Sequence, residues 1–180
     1  MTNPEDTNIK QSILIADDNQ DNLKVLGSML EQNGYDVRVA TNGEQVLASA
    51  EELAPDLFLL DIHMPKLDGY ETCEKLKCNK TLAKIPVIFI SALTEKFNKL
   101  KGFEMGAVDY IVKPFELEEV KVRIETHLRL CQQIKELEIL NESMINREMR
   151  IVELKQEVNS LAKQLGQEAP YPEDWSNISG

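Results

Sequence analysis

The sequence holds few of the features that would point to most functions. It has only three cysteines in 180 residues, Cys73, Cys78 and Cys131, and no two form a C-x-x-C pair. An odd, scattered set excludes a disulfide framework and gives no zinc-ligand spacing, so idle thiols are the reading. No apolar run reaches the ~18 residues that a membrane helix needs. The first residues, MTNPEDTNIKQ, are polar and lack a signal core, so we expect a cytoplasmic protein with no membrane partner. Basic charge is also scarce. Twenty Lys and Arg stand against 31 Asp and Glu, a net charge of -11. Such a chain repels nucleic-acid phosphates, and no helix-turn-helix or basic region follows the first domain, so no DNA partner is expected. No glycine-rich phosphate loop is present, which argues against ATP as a direct phosphoryl donor.

What is present is an alternation. Residues 12–16 (SILIA) and 56–60 (DLFLL) read as short buried strands, 35–40 as a strand whose Val37 and Val39 alternate with charged neighbours, and 85–90 (IPVIFI) and 108–112 as two more strands. Helical spacing fills the intervals: 22–32, 42–53 and 70–77, then a fourth helix that Thr94 can cap with Phe97, Leu100 and Phe103 on its apolar side. A fifth opens at Glu116 with Val120, Ile124 and Leu128. Continuous apolar strands suit a parallel sheet covered on both faces, and right-handed crossovers then give a doubly wound α/β fold of five strands. In that architecture the functional site lies outside the carboxyl ends of the strands.

Those ends carry Asp17 and Asp18, then Asp61, then Ser91, then Lys113. One Asp after a strand is usually a helix cap. Three carboxylates with a hydroxyl and an ammonium are different, because folding demands no such set. Crowded carboxylates repel unless a cation joins them, and oxygen ligands suit Mg²⁺. A metal and a lysine can gather charge on phosphoryl oxygens while a carboxylate acts as nucleophile.

At Asp17-Asp18, at Leu60-Asp61-Ile62-His63-Met64-Pro65 with Asp68-Gly69, at Ser91-Ala92 and at Tyr110-Ile111-Val112-Lys113-Pro114-Phe115, the chain resembles the receiver domain of bacterial two-component response regulators, of the chemotaxis-regulator kind. The resemblance covers about residues 11–130. It implies a flavodoxin-like fold in which Asp61 accepts a phosphoryl group from a histidine kinase, simple or hybrid. Asp18, Asp61 and the backbone carbonyl of His63 would bind Mg²⁺, and Asp17 would hold a metal-bound water. Ser91 and Lys113 would contact phosphoryl oxygens, and Tyr110 would be an aromatic switch that turns inward when Ser91 moves. The Lys113–Pro114 bond would be cis. Leu93 and His63, each two residues past a site residue, would tune phosphate lifetime. The resemblance implies a regulator and not an enzyme in its own right, signalling to an unknown downstream protein; the alternative is a relay that passes phosphate to a histidine phosphotransfer protein. His127 lacks the context of a kinase phosphohistidine and reads as an exposed helix residue.

Beyond Leu128 the helical pattern continues. Leu130, Leu137, Met144, Ile151, Val158 and Leu165 recur every seven residues, with Gln133, Leu140, Arg147, Leu154 and Leu161 three further on. This a/d pattern over 131–166 predicts a coiled coil with a second copy, weakest at Gln133 and Arg147. Residues 141–166 also resemble connector helices of histidine kinases. Residues 1–10 read as a flexible start and 167–180, with Trp175, as a mobile end.

Overall fold

A computed structural model describes residues 10–92 and 99–172. The expected Thr94 cap, and Leu93, Phe97 and Trp175, lie outside these residues.

Five strands form one parallel sheet: β1 (Ser12–Ala16), β2 (Asp36–Ala40), β3 (Leu57–Asp61), β4 (Val87–Ala92) and β5 (Asp109–Lys113), in the order β2-β1-β3-β4-β5. Between them run α1 (Gln20–Gln32), α2 (Gly43–Glu52), α3 (Gly69–Cys78) and α4 (Lys99–Glu104), and α5 (Leu117–Gln164) follows the last strand. This is the doubly wound arrangement that the apolar runs predict and the flavodoxin-like fold that the resemblance implies.

Both faces of the sheet are covered. Leu14, Phe58, Leu60 and Phe89 join Val46, Tyr70, Leu76 and Tyr110 in one core. Ile13, Ile15, Leu57, Leu59, Ile88 and Ile111 face the other way, against Leu23, Leu26, Leu30, Val120, Ile124 and Leu128. Alternate residues of one strand therefore enter different cores, which is why the central strands show no polar alternation. Burying each large side chain contributes about 1.5–3 kcal/mol.

Helix starts follow local chemistry. The Asn19 side chain caps α1 by accepting from the Asp21 N–H, so this helix begins two residues before the apolar spacing suggests. Asp68 and Glu71 form a reciprocal capping box on α3. Gly34 follows α1 with φ at 91°, a left-handed conformation that favours glycine. β2 is less covered than the central strands. Val39 is 56% exposed, because β2 is an edge strand paired only with β1. Arg38 of β2 instead donates to Ser49 O at 2.8 Å and Leu53 O at 2.6 Å, satisfying carbonyls at the end of α2.

The chain divides into two compact units, Met1–Cys131 and Gln132–Gly180. In the second, the apolar positions Leu137, Leu140, Met144, Ile151, Leu154, Val158, Leu161 and Leu165 of α5 are all exposed. Gly166, with φ at 70°, ends the helix, and Gln167 N donates to Ala162 O at 2.9 Å. Of the end segment that reads as mobile, residues 167–172 turn back. Tyr171 exchanges two hydrogen bonds with the Asn159 side chain, at 2.9 and 3.0 Å, and its ring lies under the Lys155 ammonium.

Candidate functional site

The strand register decides which side chains meet. Ala16 lies beside Leu60 and Asp61 beside Ile90, while Ser91 and Ala92 pair with Val112 and Lys113. The carboxyl ends of β1, β3, β4 and β5 thus finish at one level.

Asp17, just past β1, is fully buried. It accepts from Asn19 N at 2.8 Å, from Asn22 Nδ2 at 2.9 Å and from Lys113 Nζ at 2.9 Å. Asp61 closes β3 and is 4% exposed. Its Oδ2 accepts from Lys113 Nζ at 2.6 Å, and its Oδ1 accepts a longer bond from His63 N at 3.4 Å. Asp18 is exposed, so one side of the group opens to solvent. Oxygens of Asp17, Asp18 and Asp61 all lie within 4.8 Å of one another.

One lysine serves two buried carboxylates. Burial pushes the Asp61 carboxyl above the ordinary range; Lys113 pulls it back only in part, and Asp17 adds to the rise. Burial opposes the Lys113 charge as well, but its bonds to Asp61 and Asp17 outweigh that and hold the ammonium above the ordinary lysine range. This imbalance is the test for a cation. Among the described residues, one ammonium pairs with two of the three hard oxygen donors, and the third donor reaches solvent. The set suits a divalent ion that prefers oxygen and keeps some of its water, as Mg²⁺ does.

The same imbalance predicts a pH effect. Asp61 keeps its proton in the native state over an interval in which the unfolded chain has already lost it. Stability therefore falls as pH rises through that interval, and the penalty is complete above the native value. Asp61→Asn removes it. In the absence of metal the variant should melt higher than the parent at neutral pH, with the gap closing below the ordinary carboxylate range. A lower melting temperature at neutral pH would show that the Lys113 pair outweighs burial.

The remaining expected residues sit as follows. Ser91 is 2% exposed near the end of β4. His63 follows Asp61 on the connecting loop with its side chain exposed. The Lys113–Pro114 bond is cis. Tyr110 lies apart from the carboxylates, 5% exposed in the core shared with Tyr70 and Phe89. Two residues escape a reading of the sequence. Asn22 fixes Asp17, and its place in the first turn of α1 is the available signal. Tyr70 bonds Tyr110, and nothing in a helical spacing announces that. His127 needs correction. Its Nε2 lies 3.2 Å from Asp109 Oδ2, and its side chain is only 16% exposed. Asp109, at the start of β5, also binds Arg123 at 2.8 and 2.9 Å, so it draws both α5 residues inward. Burial tends to raise Asp109, but the Tyr110 N–H, Arg123 and His127 together hold its carboxyl below the ordinary range. Among the described residues, no helix is long and apolar enough to cross a membrane.

Residues 13–125 match the response regulator receiver domain family. The alkaline phosphatase synthesis transcriptional regulatory protein PhoP of Bacillus subtilis is 41% identical over 121 residues, 67% of this chain and 50% of that protein. The DNA-binding dual master transcriptional regulator RpaA of Synechocystis is 40% identical over 134 residues, 72% of this chain and 56% of that protein. The chain thus spans about half the length of these curated relatives. Among solved structures, the receiver domain of a sensor histidine kinase from Pseudomonas aeruginosa, with a magnesium ion coordinated in its active-site cleft, is 29% identical at a TM-score of 0.62, covering 66% of this chain and 98% of that one.

Two expectations change. The relatives are regulators of the PhoP and RpaA kind and give no support to a chemotaxis subtype. The expected absence of DNA from this protein's partners does not stand, because RpaA is named as DNA-binding. The acidic balance describes only the residues it counts, and RpaA extends well beyond the segment that matches. With residues 13–125 matching that family and a relative 41% identical over 67% of the chain, the chain belongs to the response regulator receiver family.

Proposed function

We propose that this protein is switched by phosphorylation of Asp61, with a histidine kinase as donor. The observation that carries the reading is Lys113 Nζ lying between Asp17 and Asp61, at 2.9 and 2.6 Å, beside three clustered carboxylates. An Asp61 oxygen attacks the phosphorus of a phosphohistidine. The O–P bond forms as the P–N bond breaks, and the histidine nitrogen leaves with the electron pair and takes up a proton. Lys113 moves from its two carboxylates to a phosphoryl oxygen, and the Ser91 hydroxyl donates to another. Asp18, Asp61 and the His63 carbonyl would hold Mg²⁺, with Asp17 holding a water on it, and the ion would gather negative charge on the phosphoryl oxygens. Asn22 keeps Asp17 aimed into the site. The only chemistry is on the protein's own carboxylate, and the setting is the cytoplasm. Acetyl phosphate with Mg²⁺ should add one phosphoryl mass to the chain, and chelation of the metal should prevent it. No adduct in the presence of the metal overturns the reading.

The output is a change in protein contacts, and the names of the relatives direct the search for it to transcription. The exposed stripe on α5 favours a second element, self-pairing as a coiled coil. Leu140, Ile151, Leu154 and Leu161 are each more than 40% exposed. A helix carrying that seam alone in water forgoes about 1.5–3 kcal/mol per large side chain. The fold-back at Tyr171 involves Lys155 and Asn159, which lie beside the seam and leave its a and d positions clear. Light scattering should give twice the chain mass at tens of micromolar. Leu154→Glu with Leu161→Glu should halve it while phosphorylation persists; a parent that is already monomeric removes this element.

A further inference from the structure

Tyr110 occupies a closely fitted seat. Its ring packs on Phe89 and Phe103, with centroids 5.3 and 5.8 Å away. The backbone of Gly102 closes a third side: a methyl built there would fall 2.6 Å from Tyr110 Cε2 and 2.8 Å from Cζ, and still nearer its hydroxyl. The hydroxyl of Tyr110 meets that of Tyr70 at 2.9 Å, both buried. Phe89 stands between the two rings, 5.2 Å from Tyr70 at 61°. Tyr70 is the second residue of α3. Its neighbour Gly69 donates to Ile62 O at 2.9 Å and presses against the Asp61 carbonyl. The Tyr70 hydroxyl therefore hangs from the segment that follows the phosphoacceptor, and the hydroxyl it meets belongs to β5.

We propose that Tyr70 is a positioning residue for the switch: its hydroxyl latches Tyr110 in the buried seat and so favours the conformer that phosphorylation selects. The proposal rests on the reading of Tyr110 as the switch. The bond to the Tyr70 hydroxyl is one that the buried conformer of Tyr110 gains. Removing it shifts Tyr110 toward the outward conformer. A ligand that selects the inward state then binds more weakly by the shift in population.

The competing reading is a satisfied core pair with no part in switching. It predicts lower stability for Tyr70→Phe and unchanged coupling. The two separate in the full chain, with beryllium trifluoride and Mg²⁺ as the phosphoryl mimic. Tyr70→Phe should weaken mimic binding by about five-fold, the worth of one net hydrogen bond, and move the NMR signals of the Tyr110 ring, identified by their loss in Tyr110→Phe. In the Tyr110→Phe background the same substitution should produce no further weakening. Gly102→Ala, which fills the seat without touching Tyr70, should weaken binding as well. Unchanged affinity and unmoved Tyr110 signals in Tyr70→Phe overturn the latch, even if the variant is less stable. A parent chain that fails to bind the mimic at all overturns the phosphorylation reading, and the latch falls with it.

Discussion

Asp61→Asn should take up no measurable phosphoryl group from acetyl phosphate with Mg²⁺, a loss on the order of 100-fold or more in rate, as expected when a nucleophile is removed. The amide keeps the shape of the carboxylate and can still meet Lys113, so the fold is preserved and the chemistry alone is lost. Neighbouring carboxylates are poor substitutes for different reasons. Asp17 is buried with its oxygens engaged by Asn19, Asn22 and Lys113. Asp18 is exposed to solvent. Asp61 is buried, raised in pKa and bonded chiefly to a lysine that can move to the incoming group. Intact-mass measurement with an acid-lability check reads the result. An equal yield in the variant transfers the acceptor role to another carboxylate.

Gly69→Val should damage fold and function together. A Cβ at Gly69 would collide with the Asp61 carbonyl oxygen, lying 2.8 Å from Ile62 Cα and 3.1 Å from the Asp61 carbonyl carbon. These are backbone atoms of a central strand and its loop, and they cannot rotate away. α3 must shift, loosening the Gly69–Ile62 bond and the Asp68–Glu71 cap. Overpacking of this kind destabilises by about 1–3 kcal/mol or more. It should lower the urea midpoint at unchanged m-value. A displacement of Asp61 by about 1 Å would in addition slow phosphorylation by ~10²-fold. Gly34→Ala is the control. Nothing lies within 4 Å of its added methyl, so it meets only the left-handed backbone penalty of about 1–2 kcal/mol. If Gly69→Val unfolds at the parental midpoint, the α3–loop contact is softer than its geometry implies.

These contacts mark what a sequence can and cannot disclose. The sheet was legible because each central strand is an unbroken apolar run, and a run covered on both faces allows little else. The carboxylates were legible because parallel strands align their ends, so residues distant in sequence fall at one level. Partners chosen across the core were hidden. Tyr70 sits at an apolar position of α3 and reads as packing; only the register of β5 brings the Tyr110 hydroxyl to it. His127 reads as solvated because an unperturbed imidazole is content in water, whereas its partner, Asp109, is eighteen residues back on a strand. Asn22 offers only its place in the first turn of α1, and its bond to Asp17 shows once that helix is laid beside β1. The contact of Gly69 with the Asp61 carbonyl was hidden as well.

The exposed flank of β2 has a consequence for behaviour at high concentration. An edge strand offers unpaired N–H and C=O groups, and a second chain can extend the sheet there. Val37 and Val39 would welcome such an addition. Asp36, exposed at the start of the strand, sets like charges against each other when two copies approach in register. Arg38 is bent away onto the end of α2, out of reach of any newcomer that might neutralise them. The β2 edge is thereby set against edge-to-edge growth.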